Sequence, residues 1–139
     1  MKAAGSREKQ WHIDYDIPAK FAEIAKKNGV LRIVLLSAYG ATSASKVFYS
    51  KMKGSLEEHI EKLAFDQCII FKPGMLQREG TDRIGERITN RLLTVMNSLG
   101  LLRKFRPLPT SILSEKMAKA PKSLETGRHV IELDKIFGF

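Results

Sequence analysis

The spacing of apolar residues near the start of the chain predicts a helix. A stripe at positions i, i+3 and i+4 is typical of one helical face, and Phe21, Ile24 and Ala25 form such a stripe. Asp16 precedes it and is expected to cap the helix, with Pro18 in the first turn. Asn28–Gly29 supplies the signal for the C-terminal end. We therefore expect an amphipathic helix ahead of the first strand.

Two short runs further along are almost entirely apolar and show no alternation with polar residues. Residues 30–36 read Val-Leu-Arg-Ile-Val-Leu-Leu, and residues 66–71 end in Cys-Ile-Ile-Phe. A strand without alternation is typically buried on both faces, as in a parallel sheet. Residues 129–133, His-Val-Ile-Glu-Leu, predict a last strand.

Helical patterns separate these strands. The helix predicted over 46–63 has an apolar side made of Phe48, Met52, Leu56, Ile60 and Leu63. Gly54 is expected to weaken this helix, since glycine is a poor helix former. An amphipathic helix is predicted over 82–99, and Thr110 is expected to cap a short helix that reaches about residue 120.

Helices that alternate with buried strands predict right-handed crossovers and a parallel sheet covered on both faces. Doubly wound folds that bind dinucleotides open instead with a strand and a glycine-rich turn, and this sequence contains no such turn. We expect an α/β fold: a partial doubly wound, Rossmann-like parallel sheet that lacks the first βαβ cofactor-binding half. Residues 1–139 are expected to form a single domain, the C-terminal portion of such a fold.

Composition narrows the classes of function. The single cysteine and three scattered histidines predict no metal site. The absence of a long apolar run or signal peptide predicts a cytoplasmic chain with no membrane span. The formal net charge is +9, but the basic residues are spread along the chain, so we do not expect nucleic-acid binding.

Three side chains could carry chemistry. Tyr49 and Lys53 lie four residues apart on a predicted helix, so both project from one face. A lysine ammonium favours the phenolate and is expected to lower the tyrosine pKa, which suits proton transfer. Ser37 follows the first buried strand, at the end where open α/β sheets bind ligands. A hydroxyl there can hydrogen-bond a substrate carbonyl.

The composite pattern resembles atypical short-chain dehydrogenases, in particular the Tat-interacting oxidoreductase-like branch. The segments that carry the resemblance are Leu35-Leu36-Ser37-Ala38-Tyr39-Gly40-Ala41, Tyr49-Ser50-Lys51-Met52-Lys53-Gly54 and Ile70-Phe71-Lys72-Pro73-Gly74. The resemblance implies that Tyr49 is the general acid/base and that Lys53 is its pKa partner and a ribose contact. It also implies that Ser37 orients the carbonyl and that Pro73 and Gly74 lie beside an NAD or NADP cofactor.

Two functions remain open. The first is a truncated NAD(P)-dependent oxidoreductase in which Tyr49 and Lys53 assist hydride transfer to a carbonyl; without the glycine-rich loop, the chain alone is expected to be inactive. The alternative is a non-catalytic, basic α/β interaction module, or a fragment with no activity of its own. A sheet that lacks its first half exposes a strand edge. We therefore expect a homo-oligomer or a partner that completes the sheet, with the small-molecule substrate unspecified.

Overall fold

The computed structural model of the protein describes residues 6–74, 76–77 and 107–139. Its elements in chain order are α1 (Arg7–Trp11), a π-helical segment (His12–Asp16), α2 (Ile17–Lys27), β1 (Arg32–Leu36), α3 (Phe48–Lys62), β2 (Gln67–Lys72), β3 (Leu76–Gln77), β4 (Leu108–Pro109), α4 (Thr110–Ser123), β5 (Gly127–Glu132) and α5 (Lys135–Gly138). Within the described residues, no helix is long and apolar enough to cross a membrane.

The first helix begins earlier than its sequence pattern predicts. α1, the π-helical segment and α2 follow one another without a break, and the side chain of Ser6 caps them by accepting a hydrogen bond from the Lys9 N–H at 3.2 Å. Asp16 has helical backbone angles and makes no capping bond, so its predicted role as a cap is wrong. Asn28 and Gly29 end the helix as predicted, with Gly29 at φ +78°.

A three-stranded parallel sheet, in the order β1-β2-β5, forms the centre of the molecule. β2 lies in the middle, where its residue Ile69 is paired with Val34 of β1 on one side and with His129 of β5 on the other. The fold is therefore a partial α/β Rossmann-like fold, as predicted from the buried strands between helices. β3 and β4 form a separate two-stranded parallel pair that the sequence pattern did not indicate.

Helices cover both faces of this sheet. On one face, α2 and α3 pack over Cys68 and Ile70, with Leu56 and Ile60 of α3 fully buried. On the other face, α4 and α5 pack over Ile69 and Phe71. Alternate residues of β2 therefore contribute to two separate apolar cores, which is why its sequence is apolar without a break.

Burial differs from the sequence prediction at β1 and α2. β2 is buried along its length as expected, but in β1 only Leu35 is buried. The inward face of α2 consists of Ala19 and Ala22, while Phe21 and Ile24 of the predicted stripe are 70% and 51% exposed. The apolar pattern located both elements correctly, but it did not show which apolar side chains lack a neighbour.

Gly54 is required for close packing rather than being a weak point of α3. A Cβ atom at this position would lie 2.2 Å from the Thr42 carbonyl carbon, much closer than any real contact. The helix and the loop after β1 can therefore approach each other only because residue 54 has no side chain.

Three further differences concern the C-terminal part. α4 starts at Thr110 without a side-chain cap and continues through Pro121 to Ser123, beyond its predicted end. The last strand begins at Gly127 rather than at His129, and α5 was not anticipated. The helix predicted over 82–99 lies outside the described residues.

Candidate functional site

The predicted site lies where β1 and β2 end. The Ser37 N–H donates to the Phe71 carbonyl at 2.8 Å, and the Tyr39 N–H donates to the Pro73 carbonyl at 3.0 Å. The chain after β1 therefore continues alongside residues 72–74. Because ligands of open α/β sheets bind beyond the carboxyl ends of the strands, this is the edge where a site is expected.

A buried carboxylate joins the two strand ends. Glu57 extends from α3 and is 6% exposed; one of its oxygens accepts a hydrogen bond from the Ser37 hydroxyl. Its other oxygen lies 2.7 Å from the Lys72 ammonium, which is also largely buried. Opposite charges in contact reduce the cost of burying both groups.

This cluster, which we call the Ser37–Glu57–Lys72 triad, changes the role expected for Ser37. Its hydroxyl hydrogen is donated to Glu57, so it is not directed at a substrate carbonyl. Sequence reasoning missed Glu57, although a signal was present: it follows Leu56, next to the side of α3 that the apolar pattern predicts to be buried. A carboxylate there requires a basic partner.

Tyr49 and Lys53 share one face of α3, as their spacing predicts. The Lys53 ammonium lies 5.9 Å from the centre of the Tyr49 ring, and Tyr49 is 39% exposed. Among the described residues, neither the Tyr49 hydroxyl nor the Lys53 ammonium has a hydrogen-bond or ion-pair partner. The structure therefore brings these two residues together, while Ser37 contacts Glu57 instead of joining them.

The pKa of Tyr49 moves in the direction opposite to the one expected. Burial of the ring raises its pKa above the ordinary value, and the negative charge of Asp14 raises it further. The nearby Lys53 ammonium does not reverse this shift. At neutral pH the Tyr49 hydroxyl is therefore protonated and acts as a hydrogen-bond donor, rather than as a phenolate ready to exchange protons.

The segment after β1 is fixed against α3, which holds Tyr49 and Lys53 in place. The Ser50 hydroxyl donates to the Gly40 carbonyl, and the Thr42 N–H donates to the Ser50 carbonyl at 3.2 Å. Together with the close approach at Gly54, these bonds attach the loop to the helix turn that carries both side chains.

Pro73 and Gly74 lie at the end of β2, next to the segment after β5. The Leu133 N–H donates to the Lys72 carbonyl at 3.1 Å. Pro73 is buried, whereas Gly74 is exposed, and a Cβ atom at Gly74 would lie 3.1 Å from a Leu133 methyl group. The exposed backbone at Gly74 can therefore be approached from outside.

A separate cavity of about 410 Å³ lies near the start of the chain. It is lined by Arg7, Glu8, Trp11, Asp16 and Phe48. Aromatic rings form part of its wall, with the centres of the Trp11 and Phe48 rings 6.1 Å apart. In the part of the chain that the structure describes, no group of three histidine, cysteine or acidic side chains could hold a metal ion.

Comparison with known proteins gives relatives among fungal mitochondrial proteins. The chain is 33% identical to "Protein fmp-52, mitochondrial" of Neurospora crassa over 146 residues, which cover 96% of this chain and 60% of the relative. It is 39% identical to "Protein FMP52-1, mitochondrial" of Scheffersomyces stipitis, covering 80% of this chain and 46% of the relative. It is 42% identical to "Protein FMP52, mitochondrial" of Saccharomyces cerevisiae, covering 58% and 35% respectively. No family model matches the sequence.

The chain thus spans between about a third and three fifths of the length of these relatives. Their names overturn several expectations from the sequence. The assignment to the atypical short-chain dehydrogenases is wrong, because the relatives are FMP52 proteins, and the names give no support to an oxidoreductase function. The cytoplasmic localisation is also wrong, because these relatives are named as mitochondrial.

Proposed function

We propose that this chain provides one wall of a dinucleotide-binding site in a mitochondrial protein of the FMP52 type. Tyr49 and Lys53 contact the ligand, and the backbone at Gly74 flanks it. The ligand is NAD or NADP, bound here through the oxygens of a ribose. The proposal concerns binding and assigns no reaction to the chain.

The observation that carries the proposal is a pair of donors on α3 that have no hydrogen-bond partner among the described residues. A protonated tyrosine hydroxyl and a lysine ammonium, 5.9 Å from the ring centre, can donate to several oxygens of one ligand. The hydroxyl groups of a ribose offer such oxygens.

The Ser37–Glu57–Lys72 triad acts behind this surface. It joins the ends of β1 and β2 to α3, the helix that carries Tyr49 and Lys53. Ser37 and Lys72 are positioning residues in this account, since their polar atoms are already engaged with Glu57.

The pyrophosphate of a dinucleotide is bound in such folds at the helix that follows the first strand of the complete sheet. The described residues contain no strand before β1. We therefore assign only the ribose side of the ligand to this chain, and the proposal predicts weak binding by the chain alone.

Titration of 15N-labelled protein with NADPH, and separately with nicotinamide mononucleotide, tests the proposal by NMR. We expect amide shifts at Tyr49, Lys53 and Gly74 at millimolar ligand, and their loss in the Lys53→Met variant. Lys51→Met is the matched control, because Lys51 is an exposed lysine on the same helix. Absence of shifts with both ligands at millimolar concentration, or equal loss in the two variants, would contradict the proposal.

A further inference from the structure

Exposed apolar side chains line one side of the molecule from α2 to β1. We call this surface the open edge; it consists of Ile13, Ile17, Phe21, Ile24, Val30 and Leu31, in the helical segment and in the residues that lead into β1. All of them are at least 42% exposed, and Phe21 is 70% exposed. Single exposed apolar residues are ordinary on a protein surface, but a series along one helix and the segment that follows it marks an interaction site.

α2 is apolar on two opposed flanks, and only one of them is covered. Ala19 and Ala22 face the sheet, and Glu23 lies 3.1 Å from His59 of α3. At about 100° per residue, Ile17 and Phe21 fall on the flank turned away from α3. A helix that is apolar on both flanks is expected to be buried on both of them.

Among the described strands, β1 pairs with β2 alone, so one side of its backbone has no strand beside it. The Ser37 N–H donates to the Phe71 carbonyl at 2.8 Å, and the Leu31 carbonyl accepts from the Gln67 N–H at 3.1 Å. Because backbone groups alternate in direction along a strand, the odd-numbered residues pair with β2. The N–H and C=O groups of Val34 and Leu36 therefore point away from β2, to the side that no described strand covers.

We propose that the open edge binds a strand followed or preceded by an apolar helix, supplied by polypeptide outside these 139 residues. The strand pairs in parallel with the free side of β1, and the helix packs on Ile17, Phe21 and Ile24. The source of this unit is the part of an FMP52-type protein that the chain does not match, because its relatives are considerably longer. Strand and helix together cover both kinds of exposed group, the apolar side chains of α2 and the free backbone side of β1.

A second copy of the chain would cover this surface differently. Two copies related by a twofold axis would pair β1 with β1 in antiparallel orientation, whereas the described strand pairs within each copy are parallel. This difference favours a unit from a different polypeptide.

The test is co-expression of this chain with separately tagged polypeptides that comprise the unmatched parts of the Neurospora crassa, Scheffersomyces stipitis and Saccharomyces cerevisiae relatives. We expect a 1:1 complex with at least one of them, measured by co-purification and light scattering. Phe21→Glu is expected to weaken the complex by about tenfold or more, since a large buried ring is replaced by a charge. Leu36→Pro is expected to weaken it by removing an N–H from the free side of β1.

Val47→Glu is the matched control, because Val47 is 64% exposed and apolar but precedes α3 and belongs neither to α2 nor to β1. It should leave the complex unchanged. A symmetric dimer of the chain, failure of all three polypeptides to bind, or equal weakening by Val47→Glu and Phe21→Glu would overturn the inference. Dinucleotide binding is read separately by NMR, so each proposal can fail without the other.

Discussion

Strands β1 and β2 are neighbours in one sheet and are both rich in large apolar residues, yet their surroundings differ. β2 lies between two strands and two helical layers, and its residues from Gln67 to Phe71 are all buried. Among the strands that the structure describes, only β2 lies beside β1, and just Leu35 of β1 is buried. The contrast shows that an apolar run indicates a strand suited to burial on both faces. The position of the strand in the sheet then determines whether neighbouring elements bury it. At β1 the exposed residues indicate a missing neighbour.

The largest effect is expected from filling the contact that joins the loop after β1 to α3. Gly54→Ala places a methyl group 2.2 Å from a backbone carbonyl carbon, and we expect a loss of more than about 3 kcal/mol in unfolding free energy. Urea denaturation measures this. Gly138→Ala serves as the control, because a Cβ atom there meets nothing within 4 Å. A loss below about 1 kcal/mol would show that the loop moves aside easily.

Truncating one apolar residue in each strand tests the difference in burial between β1 and β2 directly. Ile70→Ala in β2 is expected to cost about 3 kcal/mol, because its side chain is fully buried. Leu36→Ala in β1 is expected to cost less than about 1 kcal/mol, since Leu36 is 36% exposed. Equal losses in urea denaturation would mean that β1 is as well covered as β2.

The triad ties the two strands together at their ends, and removing its charge tests that link. Glu57→Gln leaves the buried Lys72 ammonium without a counter-charge, and we expect a loss of about 2 kcal/mol. Adding Lys72→Met should recover part of this loss, because the unpaired charge is then gone. Glu58→Gln, at an exposed neighbouring carboxylate, should have a small effect, since the amide oxygen can still accept the hydrogen bond from the Ser43 hydroxyl. Additive losses in the double variant would argue against a coupled pair.

The smallest effect concerns the pH dependence of Tyr49. Its folded pKa is raised above the usual value of about 10, so the folded state holds the proton more tightly than the unfolded state. Tyr49 therefore contributes stability that is intact below pH about 10 and is lost as pH rises through the folded pKa. The difference in phenolate absorbance between the wild type and Tyr49→Phe should show late ionisation, and Asp14→Asn should shift it toward lower pH. Ionisation of Tyr49 below the usual value would contradict this.

Within the described residues, the sequence correctly predicted the order of α2, β1, α3, β2, α4 and β5, because local patterns determine these elements. The apolar run at 66–71 and the stripe of Met52, Leu56 and Ile60 led to a buried strand and a helix that the structure confirms. The spacing of Tyr49 and Lys53 correctly placed both on one face. Each of these features depends on residues close together in the chain.

Features that depend on distant residues could not be read in this way. The engagement of Ser37 by Glu57, twenty residues away, depends on how α3 packs over the strand ends. From the sequence, Gly54 was expected only to weaken α3. Its close contact with Thr42 could not be predicted, because Thr42 lies in another segment. The direction of the Tyr49 pKa shift followed from burial and from Asp14, neither of which the Tyr-x-x-x-Lys spacing reveals.

Hydrogen exchange at individual amides of β1 and β2 tests the central claim most directly. In the chain alone, the account predicts rapid exchange at Val34 and Leu36, whose N–H groups face away from β2, and slow exchange at Ile69 and Ile70. Addition of the polypeptide that binds in the co-expression test should slow Val34 and Leu36 and leave β2 unchanged. Slow exchange at Val34 and Leu36 in the isolated monomer, or no slowing in the complex, would contradict the account.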